Sequence, residues 1–218
     1  MNISAIAGVV DKTCYALLAL NFLWGLYCVV TAYRRLSQFG FANRGEYNAF
    51  VEELLNKLRG KQYEEATAMC EGDIRALPQL AHQALTNRDL RYDDMRQMVT
   101  ETLQQDVVTD FDYRTGWIAV TIKSGPLLGL FGTVMGMMAA FSTIGSGAKV
   151  ESHHIARDIS IALICTALGL LTAIPFNFLL ASIQNRLRKL LEATEAGMLR
   201  VFNALKPEKA EKKNLVAA

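Results

Sequence analysis

The stretch SGPLLGLFGTVMGMMAAFSTIGSGA, residues 124–148, contains no charged residue but is interrupted by glycines, serines and one proline. Its glycines recur every three or four residues, which places them on one side of a helix. A helix that only faces lipid does not need a side made of glycine, because leucine is as apolar as the lipid tails. Small residues instead let two helix backbones approach closely. The stretch therefore predicts a membrane helix that packs tightly against other helices.

Two more uncharged runs, 13–33 and 159–185, accompany this stretch. About 20 apolar residues at 1.5 Å each cross a hydrocarbon core of roughly 30 Å, so each run is long enough to span a membrane. The sequence predicts an all-α membrane protein with three transmembrane helices. We interpret the first run as an anchor, because it is longer than the roughly 7–15 apolar residues of a cleaved leader and is followed by Arg34 and Arg35.

Arginine and lysine near the ends of the runs predict the orientation, since cytoplasmic flanks carry most of these residues. They follow the first and third runs, so we expect the N-terminus on the outer side of the membrane and the C-terminus in the cytoplasm. The predicted segments are a periplasmic N-terminus (1–12), the first span (13–33), a cytoplasmic helical segment (34–115), a second helix (116–148) that includes the second span (124–148), a short periplasmic hairpin (149–158), the third span (159–185) and a cytoplasmic C-terminal helix extension and tail (186–218).

The segment between the first two spans has the apolar spacing of amphipathic helices. We expect one helix that ends at Gly60, shorter helices at 63–70 and 78–87, and an apolar stripe over 95–107 that leads toward the second span. Acidic residues outnumber basic ones here and the net charge of the chain is only +2, so we do not expect nucleic acid as a partner.

Small residues line one side of the second and third runs. In the second run they form a groove of Gly125, Gly129, Gly132, Gly136 and Ala140. In the third run the corresponding side carries Ala162, Thr166, Gly169 and Ala173. These two sides predict close packing with other helices in the membrane.

Two threonines and two prolines are the candidate functional residues of these runs. Thr133 and Thr166 lie beside the small residues, and each either bonds to its own helix backbone or lines a path for ions. Pro126 and Pro175 are expected to kink their helices, since each frees the carbonyl four residues earlier. Such a carbonyl needs a neighbouring helix, a hydroxyl or water.

None of the three runs contains Asp, Glu, Lys, Arg or His, and Lys123 is expected at the cytoplasmic interface just before the second. Since ion relays usually need an ionisable group at depth, a partner must supply it if this chain conducts ions. No nucleophile–base pair and no metal-ligand cluster is present, so we expect neither an enzyme nor a cofactor. The cysteines contain no C-x-x-C motif and are interpreted as small apolar residues: Cys14, Cys28, Cys70 and Cys165.

The residues GPLLGLFGTVMGM (125–137), followed by ISIALICTALGLLTAIP (159–175), resemble the MotA/TolQ/ExbB proton-channel family. The resemblance is closest to the ExbB/TolQ branch, which has three spans. It implies a homopentamer in the bacterial inner membrane around a dimer of a single-span ExbD/TolR-like partner, in contact with membrane lipid. The partner would carry the essential membrane aspartate, and the transported ion would be H⁺, with Na⁺ as the alternative.

The resemblance also implies roles for particular residues. Thr133 and Thr166 match pore-facing threonines, and the glycines of the second run match positions that face the partner helices. Ile161 stands where many ExbB and TolQ proteins carry a glutamate, so the ion path is expected to run without that carboxylate. His153 and His154, in the predicted outer hairpin, form a poor metal site because neighbouring positions rarely share one ion.

The function predicted from the sequence is that of an ion-conducting subunit of a motor of the ExbB–ExbD or TolQ–TolR type. Such a motor couples the ion-motive force to mechanical work through a partner that spans the envelope. Two alternatives remain open: a stator subunit for gliding or flagellar-type motility, and a non-conducting membrane scaffold. Hydroxyls and prolines on the packing sides favour conduction, since a scaffold would need only small residues.

Overall fold

The computed structural model describes residues 3–145 and 152–216, and within them the side chains of most residues between 13 and 205. Every element in these ranges is helical. The helices are α1 (Ile3–Phe39), α2 (Arg44–Arg59), α3 (Tyr63–Cys70), α4 (Ala76–Thr86), α5 (Tyr92–Thr102), a π-helix (Leu103–Val108), α6 (Thr109–Gly145) and α7 (Ser152–Val216). The prediction of an all-α chain is confirmed for the described residues.

Three of these helices, α1, α6 and α7, are long and apolar enough to cross a membrane. Only between 28% and 33% of the residues in their most apolar windows are buried inside the chain. Lipid or other protein chains must therefore cover the rest, because apolar surface of this extent is not stable in water. The chain is a membrane protein with three apolar helices of spanning length.

The ends of the helices differ from the predicted segments around the outer hairpin. Helix α7 begins at Ser152, so much of the predicted hairpin (149–158) is helical. A helix continues past its apolar run where residues with good helix propensity follow or precede it, as Ala156 and Arg157 do here. Residues 146–151, which include the predicted end of the second span, lie outside the described residues.

The chain divides into two compact units. We call the first, residues 1–31 and 114–182, the apolar unit, because it holds the greater part of the three uncharged runs. We call the second, residues 32–113 and 183–218, the amphipathic unit, because it contains the short helices α2 to α5.

The amphipathic unit has a core of large side chains. Helix α2 ends at Arg59 with Gly60 as its cap, as the sequence predicts, and it buries Phe50, Val51, Leu54, Leu55 and Leu58. The Tyr47 hydroxyl donates to the Ala193 carbonyl oxygen at 2.7 Å, which ties α2 to α7. The same two helices are linked at the surface by Arg200 and Glu52, whose side-chain atoms lie 2.6 Å apart.

Two ionisable groups of this unit are shifted by their surroundings. Burial raises the pKa of the Cys70 thiol to about 12, and the nearby charge of Asp73 acts in the same direction. For Asp73 itself, burial acts to raise the pKa, but hydrogen bonds and charge from Arg75 outweigh it and lower the pKa. The side chains of Asp73 and Arg75 form an ion pair at 2.7 Å.

The run from α5 into α6 contains the π-helix, in which the Thr109 hydroxyl donates to the Gln104 carbonyl at 3.0 Å. The buried residues here, Met95, Val99, Leu103 and Val107, follow at steps of four. In an α-helix of 3.6 residues per turn, residues spaced four apart drift around the helix axis. The wider turn of the π-helix offsets this drift and keeps the four buried residues on one side.

The apolar unit carries an aromatic pair between α1 and α6. Trp24 and Trp117, the two tryptophans of the chain, lie with their ring centroids 6.0 Å apart in an edge-to-face arrangement. Such a geometry is favourable for aromatic rings because the positive edge of one meets the negative face of the other.

Candidate ion-path and helix-packing site

The small residues of α6 and α7 meet each other inside the apolar unit. A Cβ atom on Gly129 would lie 2.8 Å from both the Cys165 carbonyl oxygen and the Thr166 Cα, and one on Gly169 would lie 2.5 Å from the Gly125 carbonyl oxygen. These are backbone atoms that cannot swing aside. The two helix backbones therefore touch at a distance that only glycine allows.

Helix α1 completes this contact. A Cβ atom on Gly132 would lie 3.0 Å from the Cys14 sulfur and 2.9 Å from the Cys165 Cβ. The Cys14 thiol donates to the Leu128 carbonyl at 3.4 Å. Small cysteine side chains thus fill the space beside Gly132, in keeping with their interpretation as apolar residues.

The other predicted packing residues are also buried, namely Gly136, Ala140, Ala162 and Ala173. The glycines expected to face partner helices lie instead against α1 and α7 of the same chain at Gly125, Gly129 and Gly132. Their contact with a separate partner stays a prediction.

The two candidate threonines bond to consecutive carbonyls of α6. The Thr166 hydroxyl reaches across from α7 and donates to the Gly129 carbonyl at 3.0 Å. The Thr133 hydroxyl donates to the next carbonyl, that of Leu130, at 2.7 Å within its own helix. Of the two alternatives left open by the sequence, Thr133 thus bonds to its own helix, whereas Thr166 bonds to a neighbouring one.

In this arrangement both hydroxyl groups act as hydrogen-bond donors to carbonyl oxygens of α6. Each donates its one hydrogen bond to a carbonyl, so the lone pairs of the oxygen are left to accept a hydrogen bond or to contact a cation. Thr133 and Thr166 are both half-buried, which leaves them partly accessible from outside the chain. The pair can serve as two neighbouring acceptors in an apolar environment.

Pro126 lies inside α6 next to a polar cluster that our reading of the sequence missed. The Asn21 amide of α1 donates to the Thr121 carbonyl at 3.3 Å and accepts the Ser124 hydroxyl proton at 2.9 Å. The Ser124 hydroxyl also lies 3.2 Å from the Thr121 carbonyl. The sequence carried a signal for this cluster, because Asn21 is the one amide side chain in the run 13–33.

The remaining candidates lie apart from this cluster. Pro175 lies within α7 and is exposed. Ile161 offers its carbonyl to the Tyr15 hydroxyl of α1 at 3.4 Å. His153 is exposed near the start of α7, whereas the side chain of His154 is outside the described part of the chain. Across the described residues, no group of three His, Cys, Asp or Glu is placed to hold a metal ion.

The hydrogen bonds of Asn21 show which residues of α1 and α6 lie at the same level along the helix axes. Asn21 contacts Thr121 and Ser124, so Lys123, one of the two residues between them, lies about level with Asn21 of α1. Residue 23 is the middle of the run 13–33.

Helix α7 gives the same depth independently. A Cβ atom on Gly125 would lie 3.1 Å from the Gly169 carbonyl and 3.8 Å from the Thr172 Cβ, so Lys123 is level with about residue 172. Residue 172 is the middle of the run 159–185. The sequence predicts an interfacial Lys123, but the helix register places it opposite the centres of the two other runs.

Helices of spanning length, joined by small residues and holding hydroxyl and amide groups between them, define a helical membrane protein of the kind found among channels and transport proteins. Residues 73–196, more than half of the chain, match the MotA/TolQ/ExbB proton channel family. The chain belongs to this family, and the resemblance seen in the sequence is confirmed.

Several relatives fall in the ExbB/TolQ branch. The chain is 38% identical over 74 residues to the biopolymer transport protein ExbB of Aquifex aeolicus, which covers 32% of this chain and 50% of the relative. It is 38% identical over 77 residues to ExbB of Neisseria gonorrhoeae, or 34% of this chain and 35% of the relative. It is 37% identical over 68 residues to the Tol-Pal system protein TolQ of Haemophilus influenzae, which covers 31% of this chain and 30% of the relative. The chain matches half or less of the length of these relatives.

Proposed function

We propose that this chain is an ion-conducting subunit of a bacterial inner-membrane motor of the ExbB–ExbD or TolQ–TolR type. It acts as a homopentamer around a dimer of a single-span partner, with its N-terminus in the periplasm and its C-terminus in the cytoplasm. The transported ion is H⁺, with Na⁺ as the alternative. Relatives named ExbB and TolQ support the branch.

The placement of Thr133 and Thr166 on consecutive carbonyls is the observation that carries this proposal. Two half-buried hydroxyls that already donate hydrogen bonds to backbone carbonyls offer the lone pairs of their oxygen atoms to an incoming proton donor or cation. They hold no charge of their own, so the titratable group comes from the partner as a membrane carboxylate. The ion then passes between that carboxylate and the hydroxyl pair.

The work available from this path is substantial. One elementary charge that crosses the membrane releases about 2.3 kcal/mol per 100 mV. A few ions per step therefore suffice to rearrange a partner whose interactions with the pentamer are each of order 1 kcal/mol. The partner transmits the resulting movement across the envelope.

The substitution Thr166→Val tests the proposal, since valine keeps the shape of the side chain and removes the hydroxyl. We expect an assembled oligomer whose ion flux is lower by about ten-fold, the equivalent of roughly 1.4 kcal/mol. The measurement is the acidification rate of vesicles that contain the chain together with a single-span protein bearing a membrane carboxylate, in sodium and in potassium buffers.

Thr31→Val is the matched control, because Thr31 is half-buried, as Thr133 and Thr166 are, and its hydroxyl donates to the Tyr27 carbonyl of its own helix. Its flux should equal that of the unmodified chain. Unchanged flux in Thr166→Val would remove this hydroxyl from the path. Absence of flux in the unmodified complex, with normal assembly, would favour the non-conducting scaffold.

A further inference from the structure

Lys123 lies on the outward side of α6, opposite the glycines. It begins a stripe of exposed residues at spacings of four, three and four that continues through Leu127, Leu130 and Val134, which are 64%, 56% and 58% exposed. The glycine side is filled by α1 and α7. The stripe therefore remains available to whatever lies outside this chain.

The helix register makes this position costly for a charge. Both neighbouring helices place Lys123 within about two residues of the centres of their apolar runs, roughly 12–18 Å from either surface of a 30 Å hydrocarbon core. A lysine stem of four methylene groups is too short to bring the ammonium to the surface from there. Ionisable residues at such depth face protein or a water-filled cavity and pair with a group of opposite charge.

None of the described residues offers such a group. Among the described residues, Lys123 takes part in none of the ion pairs, which all involve other side chains. The polar groups at its level, Asn21 and Ser124, are neutral and already bond to each other. Its counter-charge must come from another molecule.

We propose that Lys123 is an intramembrane cation that pairs with a membrane carboxylate of a second polypeptide, and that the stripe from Lys123 to Val134 is the surface of α6 that this polypeptide contacts. This inference rests on the proposed function for the identity of the partner as a single-span chain with an acidic residue in the membrane. Lys123 lies roughly 15 Å along α6 from Thr133, so pairing with Lys123 and ion exchange at the hydroxyl pair are two successive positions of that carboxylate. The inference also revises which side of α6 meets that partner, from the glycines to the stripe.

A carboxylate on a membrane helix fits better than a lipid phosphate. Phosphate groups lie at the surface of the bilayer, whereas the register places Lys123 near its middle. The apolar residues that continue the stripe, Leu127 and Leu130, suit the side of a second helix, which can bring a carboxylate to the depth of the ammonium while covering the leucines.

The depth of Lys123 is tested first, on the full chain alone. In inside-out membrane vesicles, a membrane-impermeant maleimide should label Lys123→Cys at least ten-fold more slowly than Glu53→Cys, which is exposed on α2. The four native cysteines are buried and give a low background. Equal labelling rates would overturn the inference, because Lys123 would then lie in water at the cytoplasmic interface.

The pairing is tested by co-purification with a single-span protein that carries a membrane aspartate. We expect Lys123→Met to lower recovery of this protein about ten-fold and Lys123→Arg to keep it. Lys123→Asp should lose it and regain it when the aspartate of the partner is changed to lysine. Full recovery with Lys123→Met, or no rescue by the exchanged pair, would overturn the pairing.

These outcomes are separable from those of the proposed function. If Lys123→Met keeps both the partner and the ion flux, the pairing is wrong and the proposed function stands. If the unmodified complex assembles through Lys123 but conducts no ions, the pairing stands and the conducting function is wrong.

Discussion

The two units of the chain are built on opposite plans. The amphipathic unit buries large aliphatic side chains such as Leu54, Leu77 and Leu80 and turns its charges outward. The apolar unit buries glycine, alanine, cysteine and threonine together with a few large side chains such as Ile118 and Phe176, and it turns most of its leucines outward, with Leu171 at 66% exposure. Leucine therefore lies mostly inside one unit and mostly outside the other.

This difference follows from what surrounds a helix in each case. In water, removing leucine from the solvent contributes about 25 cal/mol for each Å² of apolar surface. In lipid, the same surface gains little from a neighbouring helix, so close backbone contact and hydrogen bonds between helices hold the unit together. The amphipathic unit is thus stabilised mainly by the burial of large apolar side chains, and the apolar unit mainly by close contact between helix backbones.

The largest expected effect separates the two plans with one type of substitution. Leu54→Ala removes a side chain that is 0% exposed in the amphipathic unit, and we expect it to lower the free energy of unfolding by about 2–5 kcal/mol. Leu23→Ala removes one that is 62% exposed in the apolar unit, and its effect should stay below about 1 kcal/mol. Denaturation of the detergent-solubilised protein measures both. Equal losses would contradict the difference in packing between the two units.

A smaller effect is expected where the apolar unit relies on glycine. Gly129→Ala places a methyl group 2.8 Å from backbone atoms of α7 and should cost about 1–3 kcal/mol. Gly116→Ala on the same helix meets nothing within 4 Å and should stabilise by roughly 0.5–1 kcal/mol, because alanine is the better helix former. Titration with SDS measures both midpoints. A destabilising Gly116→Ala with a neutral Gly129→Ala would contradict the packing described for α6 and α7.

The smallest effect concerns how completely the amphipathic unit excludes water. Burial raises the pKa of Cys70 from 9.0 to about 12, so its thiol stays protonated in the folded chain while the unfolded chain ionises above about pH 9. Stability from this group is complete below pH 9 and is lost as the pH rises toward 12. Unfolding measured from pH 8 to 11 should therefore show a steeper loss for the unmodified chain than for Cys70→Ala. Identical slopes would show that Cys70 is open to solvent.

Much of this architecture is readable from spacing. The small residues at three- and four-residue steps predict the packed sides of α6 and α7, and the glycines and alanines of these sides are buried in the structure. Gly60 marks the end of α2 because apolar periodicity stops there, and α3 covers the predicted 63–70. Such features depend on one helix at a time, which is why the sequence suffices for them.

The rest depends on how helices are placed against each other. Apolar runs give the length of a span but not its depth relative to its neighbours. Hydropathy therefore assigns Lys123 to the membrane interface, whereas the contacts of α6 with α1 and α7 place it opposite the middle parts of their apolar runs. The bond from Thr166 to the Gly129 carbonyl and the cluster around Asn21 likewise need residues far apart in the chain. No local pattern specifies such pairs.

The edge-to-face pair of Trp24 and Trp117 has a practical consequence for spectroscopy. Since these are the two tryptophans of the chain, at 6.0 Å, they make intrinsic fluorescence and near-ultraviolet circular dichroism an unlabelled optical probe of one helix contact. Coupled indole transitions fade when the rings separate. The onset of loosening between α1 and α6 is therefore visible in the native chain without a dye.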